Sequence, residues 1–205
     1  TRLKSHFLLK AGEIIGPGGV MEHLGRTHEG VADGWNIFPR SILIDDMVEL
    51  LGMENANGHD RPFVTLTAKP GDDEPLNEGD HKIFRSVAGK GIYLGPDRFD
   101  AAYIIKEVAR RARAPTQKDL RMIRNLVRYL KDTKDMATRF RKLDGVIDTI
   151  DVYVDSDWAG ELADRRSTSS GALVINGCLM HSFSRTQTVV ATSSAEAEFY
   201  AIGSG

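Results

Sequence analysis

Two carboxylates and a row of arginines are the residues of this 205-residue chain whose types and spacing suit chemistry. Asp155 ends an alternating run, Ile150, Val152 and Val154. In such a strand the branched side chains face a core and the acid emerges at the carboxyl end. Glu198 sits among Ala195, Ala197, Phe199 and Ala201 in the opening turns of the last helix, an apolar setting in which a charge needs a reason. Acids at a strand end and on a neighbouring helix can hold magnesium or manganese, which take oxygen ligands. Paired ions of this kind activate a water and stabilise the leaving oxygen of a phosphodiester. Spacing alone fits an exposed glutamate and a loop aspartate better than a metal pair. Arg121, Arg124 and Arg128, with Lys131, recur three or four residues apart on one helix face, while Leu120, Ile123, Val127 and Leu130 form another. A basic face of this kind either neutralises phosphates or lies in solvent with a few ion pairs.

The net charge of -2 conceals a division that supports the first use of that face. Residues 1–97 carry 10 basic and 15 acidic side chains, residues 98–142 carry 14 and 5, and residues 143–205 carry 3 and 9. A basic middle adjoining an acidic end is what a protein needs if one surface meets phosphates and another gathers carboxylates for cations. The apolar content is high enough to bury a core, which argues against disorder. The longest apolar runs, such as Phe7–Leu9 and Leu173–Ile175, are far too short to cross a bilayer, and no secretory pattern opens the chain. The expectation is therefore an intracellular protein with no membrane partner. Cys178 is the only cysteine, so neither an internal disulfide nor a cysteine zinc spacing is available; its plain role is a buried thiol in a strand.

These groups depend on the secondary structure around them. Through Arg40 the chain is Gly-rich and reads as short strands and turns. Ile42, Ile44, Met47, Val48, Leu50 and Leu51 recur at helical spacing and stop at Gly52. Residues 54–79 hold Pro62, Pro70 and Pro75 with little periodicity and read as a long loop or linker. Three helices are predicted next, over Asp80–Leu94, Phe99–Arg113 and Thr116–Lys131, the last capped by Thr116 with Asp119 in its first turn. Strands follow at Thr138–Lys142, Ile147–Val154, Ala172–Ile175, Leu179–Phe183 and Val189–Ala191, with turns at Asp144-Gly145 and Asn176-Gly177. A helix from Thr192 or Ser193 closes the sequence.

The run from Tyr153 to Ala201, YVDSDWAGELADRRSTSSGALVINGCLMHSFSRTQTVVATSSAEAEFYA, resembles the ribonuclease H opening of copia-type (Pseudoviridae) retrotransposon Pol polyproteins. There a strand ends in an aspartate followed by Asp-Trp-Ala-Gly, then Asp-Arg-Lys/Arg-Ser-Thr-Ser, and later Val-Ala-x-Ser-Ser-x-Glu-Ala-Glu-Tyr. Upstream, Phe84 to Gly89 with Ile92 to Leu94 is similar to the family's helix after the polymerase, and Arg128 to Asp135 to its Arg-Tyr-Leu-Lys connection. Helix Ile42–Met53 resembles the thumb-region helix.

The resemblance implies an α+β fold: a helical reverse-transcriptase thumb and connection region, then a truncated RNase H-like mixed sheet with a helix. It divides the chain at 1–79 (end of palm and thumb with linker), 80–135 (helical connection) and 136–205 (partial RNase H-like domain). It places Asp155 on the first metal-binding aspartate and Glu198 on the catalytic glutamate, with Asp157 as an outer neighbour and magnesium or manganese as cofactor. It sets Arg165, Arg166, Ser193 and Ser194 beside a hybrid duplex, where guanidinium and hydroxyl groups suit a shallow minor groove. Capping by Ser193 and pairing of Arg165 with Asp164 are the competing roles. The implied partners are RNA–DNA hybrid or duplex nucleic acid and the rest of the polyprotein, in a cytoplasmic virus-like particle or the nucleus. The family's third aspartate, on a strand after this helix, has no counterpart, and the polymerase's paired aspartates are missing. A non-catalytic nucleic-acid-binding or scaffold remnant is the alternative.

Overall fold

In the computed structural model, which describes residues 14–143, 145–160 and 164–204, the Gly-rich opening forms an antiparallel meander. Its strands are β1 (Val20–His23), β2 (Arg26–Val31) and β3 (Gly34–Ile37). A fourth strand, β4 (Thr138–Arg141), returns after the helices and pairs antiparallel with β3. Gly34 has a φ of 149° there, and a Cβ on it would meet the carbonyl oxygen of Phe140 at 1.9 Å, so only glycine fits this register.

Four helices fill the space between β3 and β4: α1 (Ser41–Leu50), α2 (Glu78–Leu94), α3 (Ala102–Arg111) and α4 (Gln117–Asp132). The helix expected from Phe99 starts later, because Phe99–Ala101 is a separate 3₁₀ turn. Each helix start has its donors satisfied locally where the sequence offers a cap. Asn77 accepts from the Asp80 N–H at 2.9 Å to open α2, and the Asp119 carboxylate takes the N–H and hydroxyl of Thr116 at 2.9 and 3.1 Å to open α4. The stripes then meet. Ile44 and Met47, Phe84 and Val87, Ile104 and Val108, and Ile123, Leu126, Val127 and Leu130 are almost fully buried against one another. Each such side chain contributes about 1.5–3 kcal/mol by leaving water. All the largest fully buried apolar side chains among the described residues lie in these helices, so the helical layer holds the core.

The second sheet is an antiparallel meander of β5 (Ile150–Asp157), β6 (Thr168–Ile175) and β7 (Cys178–Thr186), with β5 and β7 at its edges. Asn176 and Gly177, at φ 47° and 75°, make the tight turn expected of that dipeptide. Helix α5 (Ser194–Ile202) follows. Its approach, Val189–Ala191, is not the expected strand: it is an irregular link held by Trp158, whose Nε1 donates to the Ala191 carbonyl at 3.1 Å. Asp144, half of an expected turn, lies outside the described residues. Two bonds from adjacent positions of β6 fix the layering. Lys106 of α3 donates to Thr168 Oγ1 at 2.8 Å on one face. On the other, the Gln187 amide joins Ser169 Oγ at 3.0 Å to the Ala197 carbonyl of α5 at 2.8 Å. The architecture is thus α+β, with five α-helices and two antiparallel sheets among the described residues.

Candidate functional site

β5 runs on to Asp157, so Asp155 lies within the strand, two residues before its end. Helix α5 is opened by two short-range devices: Ser193 Oγ accepts from the Glu196 N–H at 3.1 Å, and the Glu196 carboxylate accepts from the Thr192 N–H and hydroxyl at 2.7 and 2.6 Å. The Thr192 bonds hold the Glu196 carboxyl below its usual range. So anchored, α5 buries Ala197 and Ala201 and swings Glu198 over the edge strand, where its Oε1 accepts the Ser156 N–H at 3.3 Å.

That bond brings Glu198 to the peptide that follows Asp155 but not to the same face as its side chain. Ser156 pairs with Ser169 and shares the α5 side, and alternation sends Asp155, paired with Ser170, to the α3 side. There Asp155 lines a cleft with Phe99, Tyr103, Ser170, Ser182 and Ser184. Asp157, on the same side, lines a neighbouring cleft of about 320 Å³ with Phe63, Glu107, Arg110 and Lys118. No group of three or more His, Cys, Asp or Glu placed to hold a metal ion occurs among the described residues.

The basic stripe of α4 divides. Arg121 donates to Asp72 at 2.5 Å and to the Thr67 carbonyl at 3.1 Å, both in the long loop. Arg128 is half-buried, with its Nε unpartnered, and Arg124 is exposed. Near the second sheet, Arg165 is exposed at φ 59°. It is Arg166, not Arg165, that pairs with Asp164, at 3.4 Å. Ser193 is the cap of α5 and Ser194 is exposed on its first turn.

A buried polar cluster escaped sequence reading. Arg98, 1% exposed, donates to the Asp100 carboxylate at 2.7 Å and to Thr133 Oγ1 at 2.6 Å, and lies 5.2 Å from the centre of the Tyr129 ring. The Tyr129 hydroxyl donates to Asp100 at 2.5 Å. Burial works to raise the Asp100 carboxyl, but the bonds from Arg98 and Tyr129 outweigh it and hold the group below its usual range. Glu107 behaves likewise: burial opposes its charge, and Lys106, Arg110 and Arg111 together hold it low. The one signal in the sequence was a lone Arg98 between Pro96 and Asp100 at a helix break.

Comparison with known proteins gives relatives by sequence. The chain is 34% identical over 124 residues to the uncharacterized mitochondrial protein AtMg00810 of Arabidopsis thaliana, covering 60% of this chain and 50% of that one. It is 26% identical over 182 residues to the retrovirus-related Pol polyprotein from transposon RE2 of the same plant, covering 87% of this chain and 12% of the polyprotein. It is also 31% identical over 120 residues to the secreted RxLR effector protein 161 of Plasmopara viticola, covering 58% of this chain and 83% of that protein. The chain therefore spans half or less of the two Arabidopsis relatives. No family model and no solved structure matches it. The Pol polyprotein relative, and the Asp-Ser-Asp-Trp-Ala-Gly and Ser-Ser-Ala-Glu-Ala-Glu runs on β5 and α5, agree: the chain is similar to a segment of the retrotransposon Pol polyproteins.

Proposed function

We propose that residues from Ile150 onward form the opening half of an RNase H-like layer, and that the helices before them are the thumb and connection that position it on nucleic acid. The observation that carries this reading is the bond from the Ser156 N–H to Glu198, at 3.3 Å. It sets the helix carboxylate one peptide from Asp155 on the unpaired edge of β5, the edge at which a further strand of the parent polyprotein would join. The apolar surface fits an unfinished layer as well. On the α5 side Ile150, Val152, Phe199 and Ile202 are 63%, 53%, 73% and 64% exposed, where a finished sheet would cover them.

Magnesium or manganese is the cofactor this reading calls for, and the residues present do not by themselves fit it. Glu198 is engaged by a backbone N–H, Asp155 leaves on the other face, and no third acid joins them among the described residues. No hydrolytic step is therefore assigned to these residues alone. Cleavage of RNA in an RNA–DNA hybrid is the proposed activity of the site once further oxygen ligands complete it. The same misfit favours the second reading, a scaffold piece that binds nucleic acid without cutting it.

The test is mutagenesis in a protein extended through the following segment of its polyprotein. Asp155→Asn and Glu198→Gln should each lower cleavage on the order of a hundredfold or more, since metal ligation is worth several kcal/mol of barrier. Hybrid affinity, measured by fluorescence anisotropy, should stay nearly unchanged, because neither change alters a lysine or arginine of the basic surface. An active double variant would show that other carboxylates carry the chemistry.

A further inference from the structure

The cationic face of α4 is partly covered: the loop between α1 and α2 lies along it and engages Arg121 and Lys131, while Arg124 stays exposed. The chain passes α4 in the opposite direction, starting at its C-terminal end. There Lys131 Nζ donates to the carbonyls of Met53, Glu54 and Ala56 at 3.3, 2.5 and 3.0 Å. Further along, Arg121 holds the Thr67 carbonyl and the Asp72 carboxylate. At the N-terminal end the Lys118 and Gln117 N–H groups donate to the Asp72 and Glu74 carbonyls, both at 3.0 Å, and Leu76 N–H donates to the Pro115 carbonyl at 3.1 Å. Residues 53–76 carry five acids against two bases, while α4 carries five bases against two acids, so the two surfaces are complementary.

Within this contact Asp72 has the place a phosphate would take. Its side chain is 10% exposed, its Oδ2 receives the Arg121 guanidinium at 2.5 Å, and the same oxygen accepts the Lys69 N–H at 2.8 Å. Arg128, two turns further along α4, has its Nε buried and unpartnered. A helix surface with a guanidinium already committed to an internal carboxylate cannot give that guanidinium to a polyanion without releasing it.

We infer that the loop from Met53 to Leu76 is an intramolecular strap that occupies the polyanion-binding face of α4, with Asp72 standing in for a phosphate on Arg121, so that nucleic acid and strap compete. The inference rests on the reading that α4 meets nucleic acid, and is independent of whether Asp155 and Glu198 cut it. The apparent affinity of the chain is then lowered by the fraction of molecules whose strap is closed. A strap-free face makes one more phosphate contact and gives a steeper salt dependence.

The experiment measures binding of a fluorescein-labelled RNA–DNA hybrid, and separately of heparin as a sequence-free polyanion, to the full 205-residue chain over a range of salt. Asp72→Asn keeps an oxygen for the Lys69 N–H and loses the charge on Arg121. It should tighten binding of both probes about fivefold, the size of one ion pair, and steepen the log–log salt slope by about 0.9. Asp73→Asn, at the exposed neighbour, makes the same change in net charge without touching Arg121 and should leave affinity almost where it was. Adding Arg121→Gln to Asp72→Asn should cancel the gain, with circular dichroism confirming that the helices persist. Asp-N cleavage at the Asp72-Asp73 bond of the wild-type chain should quicken when hybrid is added. Equal effects of Asp72→Asn and Asp73→Asn, no effect of either, or strap cleavage indifferent to hybrid would overturn the inference. Loss of cleavage by an extended protein would overturn the proposed nuclease reading and leave this one standing.

Discussion

Asp100 shows how a single residue ties the helical layer together, and its chemistry has a pH signature. Its carboxylate receives Arg98 and the Tyr129 hydroxyl across the gap between the 3₁₀ turn and α4. Burial alone would raise its pKa, but the two donors hold it lowered. A carboxyl lowered on folding stabilises the folded state above its unfolded pKa, near 3.9, and that contribution is lost as pH falls through the folded value. The stability gap between wild type and Asp100→Asn, read as urea midpoints, should therefore be full at pH 6 and shrink as pH drops below about 4. A gap that is flat across that window would mean that the charge on Asp100 contributes nothing. Residue identity made much of this chain readable from sequence, yet not this cluster. Nothing in the spacing of Arg98, Asp100, Tyr129 and Thr133 announces that a helix break folds them together.

At the scale of elements, local chemistry and long-range pairing differ in how far sequence reveals them. Helix α4 was legible because Leu120, Ile123, Val127 and Leu130 share one face and Thr116 with Asp119 marks the start. Asp119→Ala should lower stability by about 1–2 kcal/mol, since it removes both halves of that N-terminal bond set and the partner of Arg111 at 3.5 Å. A denaturation midpoint unchanged from wild type would show that Thr116 finds other partners. The start of β6 was not legible. Thr168, Ser169 and Ser170 have no apolar alternation, and they are held inside by Lys106 and Gln187, partners 62 and 18 residues away. The place of β4 was hidden for the same reason. Thr138–Arg141 reads as a strand wherever it pairs, and its register with Gly34–Ile37 is set by contacts more than 100 residues distant. The site suffered most from this. Sequence placed Asp155 and Glu198 on the right kinds of element, but which face each acid takes depends on where β5 ends, and β5 ends at Asp157. Arg121, Arg124 and Arg128 were correctly seen as one face of α4, and only the fold reveals that Asp72 lies on it.

The whole molecule is asymmetric in what it buries. The helical layer carries nearly all the large apolar core, while the second sheet holds small and polar interior residues, Ser167, Ser169, Gln187, Ala197 and Ala201, and leaves its larger apolar groups in water. A layer with its bulk exposed and one edge unpaired gains stability by acquiring partners. The two sheets meet at the single cysteine: the Arg141 N–H donates to Cys178 Sγ at 3.2 Å, a contact between β4 and β7 that agrees with a buried thiol in a strand. The proposed cleavage function is assigned to the completed layer and not to this segment of it. Cleavage of a labelled RNA–DNA hybrid with magnesium or manganese decides the matter, run side by side on the 205-residue chain and on the same chain extended through the following segment of its polyprotein. The extended chain is expected to cut, and the 205 residues to cut little or not at all at equal hybrid occupancy. Magnesium-dependent cleavage by the 205 residues at the extended chain's rate would refute the assignment.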